Sequence, residues 1–144
     1  MDRRHNLFGG RLPQPNAAQE AQARDKMRQP PYRLDATRRA IVLSSLKDVC
    51  RHRHWILLAA HVRTNHVHIV VGANQSPEQV MTTFKAYASR ALNETSLDIA
   101  DQRRWARHGS TQYLWTSSAI SAAVHYVICE QGPPMACFEM AAAR

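Results

Sequence analysis

The residue order predicts an α+β fold, a ferredoxin-like antiparallel sheet with packed helices, and three observations carry it. Two apolar runs of strand length, residues 55–62 and 66–71, are separated only by the turn-forming Arg63-Thr64-Asn65. This hairpin is flanked by two amphipathic stretches with clear helix starts. The whole order reads helix, strand, strand, helix, short strand, helix over 144 residues, the length of one domain with a real core.

Residues 1–31 show no hydrophobic period and are rich in Arg, Gln, Ala and Pro. They read as an extended arm with a short helix from Ala17 to Met27, closed by Pro30-Pro31. Asp35 is a good N-cap for a helix to about Cys50, with Ile41, Val42, Leu46 and Val49 as its buried stripe. After the hairpin, Ser76-Pro77-Glu78-Gln79 supplies a capping serine, a proline at the first helical position and a glutamine three residues on. The helix it starts reaches about Asn93, with Val80, Phe84, Ala88 and Leu92 on its apolar side. A polar loop spans 94–111, and Gln112 to Trp115 forms a short strand. Ser117 or Ser118 caps a last helix through Gln131, which Gly132-Pro133-Pro134 stops. The folded domain is thus 32–135, between the arm at 1–31 and a short tail at 136–144.

Lys and Arg outnumber Asp and Glu by 19 to 11, and the resulting formal charge of +8 favours a polyanionic partner. The sequence offers no amphipathic basic helix, no long apolar segment and no signal-peptide core, so a membrane partner is not expected. Cys50, Cys129 and Cys137 are odd in number, scattered and without a CxxC pair. That argues against a disulfide framework or a structural zinc site, and for a reducing cytoplasm.

The chemistry concentrates at Asn65-His66-Val67-His68-Ile69-Val70-Val71. On a strand His66 and His68 share one face, with Val67, Ile69 and Val71 on the other. Two neutral imidazoles held side by side make half a divalent-metal site. In the last helix Tyr126 and Glu130 are four apart and share a face, whereas Gln131 lies about 140° round from Tyr126. A carboxylate or amide there would complete a site of two nitrogens and one oxygen, open to a phosphate oxygen. The cation would polarise the phosphoryl group, and Tyr126 would attack it as a covalent nucleophile. Pattern alone does not rank Tyr126 above Tyr87, which lies in the other capped helix near Lys85.

The block from His61 to Val71 resembles the HUH motif of single-tyrosine transposases, the enzymes of the smallest bacterial insertion sequences and their REP-associated relatives. Phe84-Lys85-Ala86-Tyr87-Ala88-Ser89-Arg90 resembles the helix that follows the motif in that family. Leu114-Trp115, Tyr126-Val127-Ile128 and Glu130-Gln131-Gly132 resemble its closing segment. The resemblance covers about residues 30–135 in consistent order. It implies an HUH endonuclease fold, with His66 and His68 as ligands of Mg2+ or Mn2+. It implies also that Tyr126 forms a 5′-phosphotyrosine and frees a 3′-hydroxyl, in metal-dependent nicking and strand transfer of single-stranded DNA, that is, DNA transposition. The family's third ligand is a polar residue, often Gln, about a turn after the tyrosine; Gln131 has that type and Glu130 the better helical spacing. Further implied are a homodimer on single-stranded or hairpin DNA, in some members with a site shared between subunits, and a place in the cytoplasm at the nucleoid.

On the same reading Lys85, Arg90, Arg103, Arg104 and Arg107, with Ser110 and Thr111, contact DNA, and Trp105 and Tyr113 offer surfaces for base stacking. By default such charges form a solvated face. His61 belongs to the strand pair or stands behind the ligands; His52, His54 and His125 are solvated. One departure matters. Relatives carry a strand before the region resembling Asp2-Arg3-Arg4-His5-Asn6, which would pair beside the histidine strand. Here Asn6-Leu7-Phe8 is the one poor candidate, so the first strand is expected to be missing or badly formed, leaving a backbone edge exposed at the site. That motivates an alternative: a truncated or domesticated, non-catalytic nucleic-acid-binding module of the same fold. A two-histidine phosphoesterase is set aside, because it needs two His-x-Thr/Ser motifs and Thr64 falls one place too late after His61.

Overall fold

The computed structural model describes residues 5–11 (as backbone), 31–99, 101–105 and 109–141. Its strands are β1 (His5–Arg11), β2 (Ile56–Val62), β3 (His66–Gly72), β4 (Ser110–Tyr113) and β5 (Ala136–Glu139). They form one sheet in the order β4-β1-β3-β2-β5, every neighbouring pair antiparallel. The first four strands have the ferredoxin-like arrangement, and β5 extends it. The helices are α1 (Ala36–Arg53), α2 (Pro77–Glu94) and α3 (Ser117–Cys129).

The expectation of a missing first strand is overturned. β1 pairs with β3 along its whole length, from His5 opposite Gly72 to Arg11 opposite His66. Hydrophobic period is blind to this strand because backbone hydrogen bonds, not an alternating pattern, fix its place. Gly9 stands opposite His68 and, having no side chain, adds nothing to the face that the imidazole occupies. The segment after 135 is also more than a tail, since β5 pairs with β2 from Val62 opposite Ala136 to Ala59 opposite Glu139. The short strand lies two residues earlier than its sequence suggests, because Leu114 turns inward beneath α3 and is buried. The last helix is capped by Thr116, whose hydroxyl accepts from Ala119 N–H at 3.1 Å, and it ends at Cys129, two residues early. The helix expected from Ala17 to Met27 lies outside the described residues.

α1 starts at Asp35, whose carboxylate accepts from Arg38 N–H, and α2 has the full capping box between Ser76 and Gln79. Both pack on one face of the sheet. Val42, Leu46 and Val49 of α1 and Val80, Phe84 and Leu92 of α2 close over Val67, Ile69 and Val71 of β3. α3 covers the other face, setting Ala123 and Val127 on Ala59, Val70 and Leu114. Strand β3 is therefore buried on both sides. β2 reaches the same condition through a bulge at Leu58, where the pairing steps from Leu57–Val71 to Ala59–Val70. The bulge reverses the alternation, so that Ala60 and Val62 face α1 and α2 while Ala59 faces α3.

The loop after α2 is pinned by a buried carboxylate. Asp98 accepts from Tyr32 Oη at 2.7 Å, from Arg38 Nε at 3.0 Å and from Arg104 Nη2 at 3.0 Å, and Arg104 Nη2 also donates to Asn93 Oδ1 at 2.9 Å. The side chains of Arg104 and Asp98 are only 3% and 6% exposed. Burial alone would raise the Asp98 pKa, but the hydrogen bonds from Tyr32, Arg104 and Arg38 prevail and hold it below the usual carboxylate value. Asp98→Ala leaves Arg104 buried without its counter-charge, and should cost about 3–5 kcal/mol in urea unfolding. Since the folded pKa is the lower one, the contribution of Asp98 is complete above the ordinary carboxyl pKa of about 3.9 and is lost as pH falls through the folded value.

Candidate active site on the α3 face of the sheet

The turn Arg63-Thr64-Asn65 closes with Arg63 N–H donating to His66 C=O at 2.9 Å, and this fixes the hairpin register: Val62 opposite Val67, His61 opposite His68. His66 and His68 stand on the α3 face with ring centroids 5.0 Å apart and planes at 80°. α3 then lays Tyr126 edge-on against His68, centroids 5.8 Å apart and planes at 86°. Tyr126 is 42% exposed while His68 is buried, so the phenol is reachable at the rim and the imidazole is sheltered beneath it. Tyr87, the other helical candidate, is on the far side of the sheet, with the guanidinium of Arg90 over its ring at 5.4 Å.

His66 Nδ1–H donates to Asn65 Oδ1 at 2.8 Å, which fixes the tautomer and assigns any metal ligation to Nε2. The donor set fits a divalent cation as two imidazoles on one face, one of them oriented from behind. Among the described residues no three His, Cys, Asp or Glu side chains gather as a metal site, so Glu130 does not join the pair. Glu130 is the exposed C-cap of α3, its N–H bonded to Tyr126 C=O. Gln131 reaches the same carbonyl, its Nε2 donating at 3.3 Å, so that its amide oxygen is the atom with which it would ligate. Gly132, two residues past the C-cap, turns the chain at φ +85°, a conformation that suits glycine.

His61 is wholly buried beneath this site. Its Nδ1–H donates to Val127 C=O at 2.9 Å, and its Nε2 accepts from Met135 N–H at 3.0 Å and from Arg63 Nη1 at 3.3 Å. Burial pushes its pKa below the usual imidazole value; the Arg63 charge adds to this, against the opposing pull of the Val127 carbonyl. The strength of this anchorage is not evident in the sequence, although counting back from the turn does place residue 61 opposite 68.

The expected DNA contacts are dispersed. Arg104 is corrected to a buried structural cation in the Asp98 cluster. Trp105 is likewise no stacking surface, since it packs on the core and its Nε1–H donates to Ser89 Oγ at 2.6 Å. Lys85 borders an apolar recess lined by Val67, Ile69 and Phe84 on the α1–α2 side, where burial lowers its pKa. Arg90 is exposed on that same helix. Thr111 turns to α2, donating to Glu78 Oε1 at 3.3 Å. Ser110 pairs with Gly9 and so shares the histidine face, about 10 Å from His68 across two strand spacings. Arg103 is exposed, and Arg107 lies outside the described residues. Tyr113 stacks on Trp115 with centroids 5.1 Å apart, and both rings are exposed. No described helix is long and apolar enough to cross a membrane.

A family model described as "Transposase IS200 like" matches residues 26–128. Among solved structures the chain is similar to a REP-associated tyrosine transposase bound to a REP hairpin. The TM-score is 0.57 and the identity 12%, over 90% of this chain and 67% of that one, a likeness of fold. No curated protein matches the chain.

The buried state of His61 has a measurable consequence. Because the folded chain holds this proton less readily than the unfolded one, its contribution to stability is complete above the ordinary imidazole pKa of about 6.5 and is lost as pH falls below it. Urea midpoints between about pH 7.5 and pH 5 should fall more steeply for the wild type than for His61→Leu.

Proposed function

This chain belongs to the IS200-like transposase family, and on that premise we propose that it nicks and transfers single-stranded DNA at a hairpin, with Tyr126 as its covalent nucleophile. The observation that supports this most is the row of rings His66, His68, Tyr126 on one face of one chain. In the reaction Tyr126 Oη attacks the scissile phosphorus and the P–O3′ bond breaks. The phenolic proton is given up, the 3′-oxygen leaves as a hydroxyl, and the 5′-phosphate stays on the tyrosine. Attack by a 3′-hydroxyl on that phosphotyrosine restores a phosphodiester and frees Tyr126, so the bonds balance without a nucleotide cofactor.

His66 and His68 would hold Mg2+ or Mn2+, with the Gln131 amide oxygen as third donor. When bound, the cation polarises the phosphoryl group and offsets the charge that develops on it. Asn65 orients His66, and the burial of His68 limits water at the inner side of the site. The surface that fits the DNA strand combines Ser110 on the histidine face with Arg103 on the loop before it. Acting on DNA in the cytoplasm as a homodimer belongs to the same reading. That Tyr126 and His68 meet within one chain supports a site completed in cis. The non-catalytic alternative has lost the observation that prompted it, because β1 is paired along all of β3.

Labelled single-stranded hairpins incubated with the protein in Mg2+, Mn2+ or EDTA test this. A denaturant-resistant protein–DNA adduct is expected that needs metal and vanishes in Tyr126→Phe. Hairpin binding with no adduct would overturn the enzyme in favour of a binding module. An adduct surviving in Tyr126→Phe would move the nucleophile to another residue. Binding should weaken with salt, with a log–log slope of about −0.7 per neutralised phosphate. Asn65→Ala should weaken Mn2+ binding, read by calorimetry, by about 10- to 100-fold with little change in thermal midpoint.

A further inference from the structure

We infer that His61 is a positioning residue for Tyr126: it clasps the nucleophile helix and the segment after it to the strand pair that carries His66 and His68. The inference rests on the proposed chemistry for its catalytic consequence, and on geometry alone for the clasp.

Three features set His61 apart from an ordinary core histidine. It is fully buried, yet both ring nitrogens are used, and besides the Arg63 guanidinium its partners are backbone groups on the nucleophile's own stretch of chain. Val127 C=O belongs to the residue following Tyr126, and Met135 N–H lies nine residues beyond the tyrosine. One imidazole thus ties down the helix at the nucleophile and also the chain that returns from it. On its own strand His61 is opposite His68, so the clasp and the ring against which Tyr126 stands are paired residues of one ladder.

Arg63 reinforces the grip two residues on. Its Nη1 donates to Pro133 C=O at 2.8 Å as well as to His61 Nε2, and Thr64 Oγ1 approaches Met135 Sδ at 3.7 Å. Gln131 therefore lies between two held points, Val127 and Pro133. An apolar residue at 61 would leave the Val127 carbonyl without this partner in a buried place and the Met135 amide without it in a part-buried one. α3 would then hold its position by apolar packing, that of Ala123 and Val127 with the partly buried Ala119, Ile120, Val124 and Ile128. A displacement of about 1 Å at the reacting group is enough to cost about 100-fold in rate.

The two halves of the clasp separate by substitution. An Asn amide at 61 reaches the position of Nδ1 and can donate to Val127 C=O; a Gln amide oxygen reaches that of Nε2 and can accept from Met135 N–H. His61→Leu, His61→Asn and His61→Gln are compared with wild type in full-length protein. The readouts are single-turnover adduct formation on a hairpin, hairpin affinity, thermal midpoint, and NMR of Met135 amide exchange and His68–Tyr126 ring NOEs. The expected result is a rate reduced by about 100-fold in His61→Leu at unchanged hairpin affinity, with partial recovery in His61→Asn. The ring NOEs should weaken in the same order, and Met135 amide protection should persist in His61→Gln alone among the variants. Rates that follow the thermal midpoint irrespective of which half is kept would overturn the inference, leaving His61 a stability residue. Ring NOEs in His61→Leu equal to those of wild type would overturn it too. If wild type forms no adduct with any hairpin, the proposed chemistry fails, while the NOEs and amide exchange still decide the clasp.

Discussion

Strand β3 is buried on both of its faces, and most of the molecule is arranged around that condition. Its odd residues, Val67, Ile69 and Val71, need the apolar cover that α1 and α2 provide. Its even positions carry His66 and His68 and then Val70, so the opposite cover must be apolar at one end and polar at the other. α3 meets this with Ala123 and Val127 over Val70 and Ala59, and with Tyr126 over His68. A helix docked by dispersion and area burial alone could slide by a turn at modest cost. Hydrogen bonds from buried donors have no such tolerance, which is why His61 sits where the apolar packing gives way to chemistry.

The polar interior divides into two knots with different duties. The Asp98 knot collects Tyr32, Arg38 and Arg104 on the α1–α2 side and fixes the loop that leads to β4. The His61 knot lies on the α3 side and holds mainly backbone, with Arg63 as its one side-chain partner among the described residues. In each case the partners come from distant parts of the chain, and in each a charge or ring that would be costly alone is matched. The net positive charge of the protein is thus partly internal: Arg104 counts towards +8 but is sequestered from any polyanion.

Much of this was legible in the sequence where the signal is local. Caps at Asp35 and Ser76, the turn at 63–65 and the i, i+2 histidines depend on neighbours a few residues apart, and those elements lie where they were read. Three things were illegible for physical reasons. β1 has no hydrophobic period and is defined by its pairing with a strand some sixty residues away. Arg104 and Trp105 look like a solvent-facing basic and aromatic pair until Asp98 and Ser89, distant from their local pattern, draw them inward. α3 ends at Cys129 with Glu130 as its C-cap, and the chain beyond is turned by Gly132 and held at Pro133 and Met135, so Glu130 does not extend the face that its spacing suggests.

The bulge at Leu58 has a consequence for how this site tolerates change in chain length. Strand β2 is two half-strands read in opposite phase. Leu57 follows one alternation, and Ala59 to Val62 follow the other. The turn at 63–65 sets the phase of the inner half, and with it His61 on the α3 face, while the extra residue returns Leu57 to the α1–α2 face beside Val71. A single deletion at Leu58 would let Leu57 and Ala59 pair as neighbours with Val71 and Val70 in a regular ladder, leaving His61 opposite His68 and the clasp intact. In this protein the irregularity of the strand lies on the far side of His61 from the turn, outside the stretch of ladder that sets the clasp beside the tyrosine.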